Sequence, residues 1–214
     1  MPILEIMKKI TLNPGEMLSP LPAVMVSCGD MEKSNIITIA WTGIINSKPP
    51  MTYISVRPER YSYDLIDKSG EFVINLVNED LTFAMDHCGC TTGAKEDKFK
   101  AVHLKKIKAD KVACPMVAES PVNIECKVVE KKHLGSHDMF IAEIVAVHAN
   151  ADLMQESGRL ALNKAGLVAY IHGEYYGLKT RKLGMHGYSV MKPKTAAKRR
   201  SEGKSYGGKS AHFK

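Results

Sequence analysis

The 214-residue sequence predicts a mainly β protein, best fitted by a closed antiparallel barrel with a few peripheral helices. Three observations point there. Period-two alternation recurs more often than helical periodicity, in segments bounded by Pro, Gly, Asn or Asp. No repeat with a period of about 20–50 residues is visible. The few helical segments connect strands and do not alternate with them one for one.

Taken in order, residues 22–28 (PAVMVSC) form an apolar run that reads as the first strand. Residues 35–42 (NIITIAWT) alternate: Ile37, Ile39 and Trp41 face one way, and Ile36, Thr38, Ala40 and Thr42 the other. A third strand, 51–56, follows Pro49 and Pro50, which suit its opening better than its middle. Segments 60–68 (RYSYDLIDK) and 80–87 (DLTFAMDH) read as short helices expected to cover the barrel ends, with a strand at 71–76 between them. Over 122–128, Val122, Ile124, Cys126 and Val128 share one face, while Asn123, Glu125 and Lys127 share the other. That is the pattern of a strand half-buried against a core. After the polar turn KKHLGSHD, residues 139–148 are apolar on both faces except at Glu143, as expected of a central strand.

The formal net charge of +7 is localised. Eight of the 30 Lys/Arg and one of the 23 Asp/Glu fall in 192–214, so residues 1–191 hold 22 of each sign and are neutral. Such a body gives no electrostatic footprint for nucleic acid, and no nucleic-acid partner is expected. The two domains expected are a barrel over 1–191 and a basic tail over 192–214, too poor in branched apolar groups to order itself. In that tail Gly203, Gly208, Lys209 and Ser210 match a phosphate-loop pattern, but without the strand and helix the motif needs. With no apolar run of about 18 residues and Lys8-Lys9 close behind the N-terminus, neither a membrane span nor a signal peptide is expected. The expected location is the cytoplasm, and the odd set of five cysteines reads as reduced thiols.

Among chemistry-bearing residues, His87, Cys88 and Cys90, with His133 and His137 further on, lack the paired spacing of a structural zinc site, so no metal is expected. A serine-nucleophile elbow and a dinucleotide-binding glycine turn are both missing. The small, partly polar face of 35–42 could let a flat ring lie against the backbone, although a routine core strand reads the same way. Residues 55–62 leave a strand and enter a helix with Arg57, Arg60, Tyr61 and Ser62 at the junction. That is the equipment of a phosphate site or simply of a capped helix with solvated arginines. The small-residue loop 89–99 could fold over a ligand.

The succession NIITIAWTGIINSKPP, ISVRPERYSYDLI, EFVINL, CGCTTGAKEDKF, GSHDMFIAEIV and GEYYGLKTRKLGMHGYSV resembles the flavin reductase-like proteins, in particular the flavoredoxin branch of the FMN-binding split barrels. The resemblance spans about residues 15 to 191. It implies a six-stranded Greek-key split barrel that forms a homodimer, with FMN near the subunit interface. By position it places Thr38, Ala40, Trp41 and Thr42 along the flavin ring and Arg57, Tyr61 and Ser62 on its phosphate. It places Cys90, Thr91, Thr92, Gly93, Lys95, Lys98 and Phe99 in a loop closing over it. His137 matches a histidine linked in relatives to nicotinamide or substrate, although here Ser136 stands where they carry an acid and Asp138 follows. The implied activity is FMN-dependent electron transfer from NADH, NADPH or a protein donor to flavin, a ferric complex or a partner. The alternative is an FMN-containing carrier with no substrate site of its own, and His137 and Tyr170 are the residues that separate the two.

Overall fold

The computed structural model describes residues 9–178 and 182–201, which divide into two compact units at the Gly177–Leu178 junction. In the first unit the chain runs β1 (Leu21–Pro22), β2 (Val24–Gly29), β3 (Ser34–Ile39), β4 (Thr42–Ser47), β5 (Pro50–Val56), α1 (Tyr61–Ser69) and β6 (Glu71–Leu76). It continues through α2 (Thr82–Cys90), α3 (Lys98–Ala101), β7 (Lys106–Ile107), β8 (Met116–Val117), β9 (Val122–His133), β10 (Asp138–Ala149), β11 (Val168–Ile171) and β12 (Glu174–Gly177).

The main sheet has the order β3-β2-β6-β9-β10-β5-β4, with every neighbouring pair antiparallel. Its first and last members are consecutive in the chain, separated only by Ala40 and Trp41. The sheet therefore closes through one interrupted strand, and β3 with β4 counted as one gives the six strands expected. The single strand expected over 35–42 is corrected to two. Its first half pairs with β2 and its continuation with β5, on the far edge of the sheet.

Period-two alternation fills the barrel. Val24, Val26 and Cys28 of β2, Ile39 of β3, Ile54 and Val56 of β5, Phe72 and Ile74 of β6, Cys126 of β9, and Phe140 and Ala142 of β10 form one buried cluster. Ile66 of α1 joins it, so α1 plugs the barrel as expected. Gly70 ends that helix in the left-handed region (φ 65°), its N–H on the Ile66 carbonyl at 2.8 Å, a conformation that glycine adopts without strain. Helix α2 is a correction. Ala84, Met85 and Cys88 pack with Met25 and Ile36, the other faces of β2 and β3, so α2 lies outside the barrel wall. A small sheet, β1-β11-β12, and the short pair β7-β8 complete the unit.

The polar face of β9 is the third correction, because it is not open to solvent. Asn123 donates to the Asn75 carboxamide oxygen at 2.7 Å and to the Val117 carbonyl at 3.0 Å. Glu125 is fully buried, and its carboxylate accepts the backbone N–H groups of Asp110 (2.9 Å), Lys111 (2.6 Å) and Val112 (3.1 Å). His148 Nε2 lies 2.6 Å from the same carboxylate. Loop 108–114 is thus laid against the sheet by the buried Glu125 carboxylate, with Glu71 accepting the Ala113 N–H at 2.8 Å. Strand β10 pairs with β5 and β9 on its two sides, as its apolar run predicts.

The second unit holds a 3₁₀ turn at Tyr188–Val190 and α4 (Pro193–Ser201). The compact barrel unit thus stops at Gly177, where β12 ends, short of the boundary expected after residue 191, and part of the segment expected to be disordered is helical. The phosphate-loop match at 203–210 lies outside the described residues. Among the described residues no helix is long and apolar enough to cross a membrane. All five cysteines are free thiols.

Burial pushes the Glu125 carboxyl up, but the Asp110 and Lys111 amides and the His148 imidazole outweigh it and hold the group below its ordinary 4.5. A carboxyl with a depressed folded value stabilises the protein above its unfolded value and loses that contribution as pH falls through the folded one. Glu125→Ala leaves three backbone amides, that of Val112 buried, without their carboxylate and is expected to cost about 3 kcal/mol in urea denaturation at pH 7. The gap between variant and parent is expected to narrow as the pH is taken below 4.5.

Candidate functional site

The closure through Ala40–Trp41 leaves a split between β3 and β5. Ile36 of β3 turns its carbonyl away from β2, where it accepts Lys98 Nζ at 3.0 Å. In an antiparallel ladder successive residues address opposite neighbours, so Thr38 presents its backbone polar groups on that same edge, while beyond the strand the Ala40 carbonyl accepts Thr42 N–H at 3.2 Å. Only at the far end does β5 reach across, with Ser55 N–H on the Trp41 carbonyl at 3.0 Å.

Two cavities, of about 360 Å³ and about 210 Å³, open along this split. They share Ile37, Thr38, Arg60 and Gly89 and so form one cleft, on the scale of small-molecule sites. The larger lies against Ala40 and Trp41 and is walled by Arg57, Cys90, His137, Tyr170 and Tyr175. The smaller is lined by hydroxyls and cations at the α1 entry and the α2 exit: Arg60, Tyr61, Ser62, Thr91, Thr92 and Lys98.

Local structure explains these placements. Asn35 on β3 donates to Ser62 Oγ at 2.8 Å, tying the first turn of α1 to the barrel. The backbone of Gly93 passes so close that an added methyl would sit 2.7 Å from Tyr61 Cδ1 and closer still to the Asn35 carboxamide oxygen. Gly89 likewise lets α2 approach Thr38, whose hydroxyl donates to the Met85 carbonyl. Lys98 is almost fully buried. Its ammonium donates to the carbonyls of Ile36 (3.0 Å) and Cys88 (2.7 Å) and takes part in no ion pair among the described residues. Burial pulls its pKa below the ordinary lysine value.

At the wider end, His137 lies against Trp41 with ring centroids 4.4 Å apart. Burial, helped by the charges of Arg57 and Arg60, holds the imidazole below its ordinary 6.5, so it is neutral at pH 7. Asp138 does not share its work: the carboxylate accepts Tyr63 Oη–H and sits 2.6 Å from His133 Nδ1. Cys88 is buried, and burial pushes its thiol up to about 11, which removes it as a thiolate at neutral pH. The five soft ligands considered for a metal are not gathered, and His87 pairs instead with Glu96 at 3.1 Å.

The cleft brings together Thr38, Ala40, Trp41, Arg57, Tyr61, Ser62, Cys90, Thr91, Thr92, Gly93, Lys98 and His137. Three expected residues fall outside it. Thr42 turns its hydroxyl onto the Tyr53 carbonyl at 2.6 Å, because after the break its strand belongs to β5. Phe99 is core, packed with Leu104 and Met85. Lys95 is exposed and lines neither cavity. Arg57, expected at the narrow end, lines the wide one and pairs with Glu59 at 3.6 Å. Arg60 reaches both. It stands in the same RPER segment, three residues on, so composition marked the segment without deciding between its guanidiniums. Tyr170, singled out with His137 in the sequence, lines the wide cavity beside it, whereas Asn35 and Tyr175 carried no comparable signal, since only the folded barrel brings them here.

The geometry suits an elongated planar ligand with an anionic end. Residues 17–179 match the model of the flavin reductase like domain. An uncharacterized protein of Archaeoglobus fulgidus is 32% identical over 146 residues, 68% of this chain and 82% of that protein. The reductase component of a 4-nitrophenol 4-monooxygenase/4-nitrocatechol 2-monooxygenase from Rhodococcus opacus is 29% identical over 112 residues, 52% of this chain and 57% of that protein. The flavoredoxin of Desulfovibrio vulgaris (Miyazaki F) superposes with a TM-score of 0.80 at 28% identity, covering 86% of this chain and all of that one. The chain belongs to the flavin reductase-like family of split β-barrels.

Proposed function

We propose that this chain is an oxidoreductase that holds FMN in the β3–β5 cleft and passes electrons to it from NADH or NADPH for delivery to a second acceptor. The observation that carries the reading is the continuity of the cleft, from an open strand edge with aromatic walls to an end furnished with hydroxyls and cations. The residues present fit the group. Gly93 holds the loop clear of Asn35 and Tyr61, and Lys98 supplies a buried cation with no carboxylate paired to it.

Bound FMN would supply the hydride and electron chemistry. The chain's own residues position and screen it. Thr38, Ala40 and Trp41 would lie along the ring, while Arg60, Tyr61, Ser62, Thr91, Thr92 and Lys98 would hold the phosphate. Arg57 and Arg60 add positive charge along the cleft, which favours an electron-rich ligand. His137, neutral and tilted against Trp41, would meet the nicotinamide at the open face without placing a positive charge beside it.

The visible spectrum of the purified protein, with chromatography of the chromophore released by heat, tests this first. One FMN per chain is expected. A colourless protein that also fails to take up added FMN would overturn the reading. Arg60→Ala is expected to weaken FMN binding by about 10-fold to 100-fold in fluorescence titration, the loss of one charge-assisted contact.

A second reading, a carrier exchanging electrons between proteins, is supported by the likeness to flavoredoxin. His137→Ala separates the two. The enzyme reading expects KM for reduced nicotinamide to rise about 10-fold, or about 1.4 kcal/mol, with FMN affinity changed less than threefold. Unchanged exchange with a redox protein, and no nicotinamide oxidation in either form, would favour the carrier. A homodimer belongs to the same proposal, supported by Ile44 and Ile45 on β4, which stand exposed in the single chain. Light scattering should then give about twice the 23.6 kDa chain mass.

A further inference from the structure

On the outer face of the β9–β10 pair three ligand-type side chains converge: Asp110, Glu125 and His148. One donor atom of each lies within 4.8 Å of the other two. His148 Nε2 is 2.6 Å from Glu125 Oε1 and 4.0 Å from Asp110 Oδ2. None of the three lines either cavity of the cleft.

The backbone assembles this set. Phe140, Ala142 and Ile144 of β10 pack toward the barrel interior, and strict alternation would carry His148 there too. A bulge prevents it. Ile144 pairs with Cys126 and Ala146 with Glu125, which leaves Val145 without an opposite residue. His148 then stands across from Asn123, on the face of β9 that carries Glu125. Asp110 is brought by its own main chain, whose N–H donates to Glu125 Oε1 at 2.9 Å. Two donors thus sit on paired strands, and the third sits on a loop that one of them fastens.

Glu125 is fully buried, yet neither it nor Asp110 pairs with a lysine or arginine among the described residues. A buried carboxylate is ordinarily matched by a cation, from a basic side chain or from a metal ion. One imidazole nitrogen and two carboxylate oxygens, with the remaining positions open to water, suit a first-row divalent ion such as zinc. An ion about 2.1 Å from each donor holds them roughly 3 to 3.5 Å apart. Closing the site therefore needs a small separation of His148 from Glu125 and an inward movement of the Asp110 side chain, which is 70% exposed and free to swing. The Lys111 and Val112 amides on Oε2 already orient the buried carboxylate, as outer partners of a metal ligand do.

We propose that Asp110, Glu125 and His148 bind one Zn²⁺ ion, with water completing its coordination, and that the ion clips loop 108–114 to strands β9 and β10. Its role is structural, and it stands independently of the reading of the cleft.

Calorimetric titration of chelator-dialysed full-length protein with zinc chloride tests this, using the parent, Asp110→Asn, His148→Gln and, as a control for the exposed thiol, Cys90→Ser. Asp110 and His148 both reach the surface, so neither change opens the core, and the FMN affinity of each variant reports on the barrel. One Zn²⁺ per chain is expected to bind the parent and Cys90→Ser alike, and at least about 100-fold more weakly to the other two. Zn²⁺ at 100 times its Kd is expected to raise the Tm of the parent by about 5 °C and to slow amide exchange in 108–114. FMN affinity should change less than twofold. Equal Zn²⁺ affinity in the parent, Asp110→Asn and His148→Gln would overturn the proposal, as would loss of binding in Cys90→Ser or a parent that takes up no Zn²⁺. Binding that leaves exchange in the loop unchanged would overturn the clip. A protein that binds Zn²⁺ but no FMN would leave this proposal standing and remove the proposed function alone.

Discussion

The molecule is organised around an edge that is not paired. A six-stranded sheet can close only if its two outer strands meet, and here they are the halves of one strand interrupted at Ala40–Trp41. The half on the β2 side keeps one row of its backbone groups free. Buried backbone polar groups have to find partners, and the chain provides a few: Lys98 takes the Ile36 carbonyl and Ser55 takes that of Trp41. What is left over along Thr38 is part of the floor of the cleft, the Ala40 carbonyl being taken by Thr42 N–H. The site is therefore a product of barrel closure, and the walls that α1, α2 and the β11–β12 hairpin add are built around it.

Buried polar groups do comparable work elsewhere. Asn75 accepts from Val117 N–H and Asn123 and donates to Met25 and Ser27, while Glu125 gathers three amides of loop 108–114. These side chains let segments with almost no regular structure lie against the sheet without leaving backbone groups unsatisfied. Lys98 belongs to the same class but faces the cleft, at the exit of α2, where its charge complements the helix C-terminus through the Cys88 carbonyl.

Much of the barrel was legible because its strands alternate cleanly. Ile37 and Ile39, or Ile124, Cys126 and Val128, announce their faces by spacing alone, and each joins or packs against the interior cluster. The polar face of β9 misled, because spacing shows which residues share a face and not what covers it. Only the fold brings loop 108–114 over Asn123 and Glu125. The break in 35–42 was hidden for a related reason: alternation continues through Ala40 and Trp41 although the pairing partner changes. At the site, the short polar face of β3 and the α1 entry were readable from residue type. Asn35 and Tyr175 were not, since each arrives from a distance set by the topology. Phe99 illustrates the opposite error, an aromatic beside a ligand loop that the core claims instead.

The interruption between β3 and β4 also sets a rule for chain length. Side chains on a strand change sides with every residue, and here the two halves answer to different partners, Val24↔Ile39 on one edge and Thr42↔Ile54 on the other. Removing one residue at Ala40–Trp41 would reverse the in–out order of one half while the other kept its own. Either β4 would turn its outward Ile44 toward the barrel, or β3 would withdraw Ile39 from it. Substitutions at the break need satisfy only the cleft, whereas a single insertion or deletion would have to be absorbed by the whole barrel.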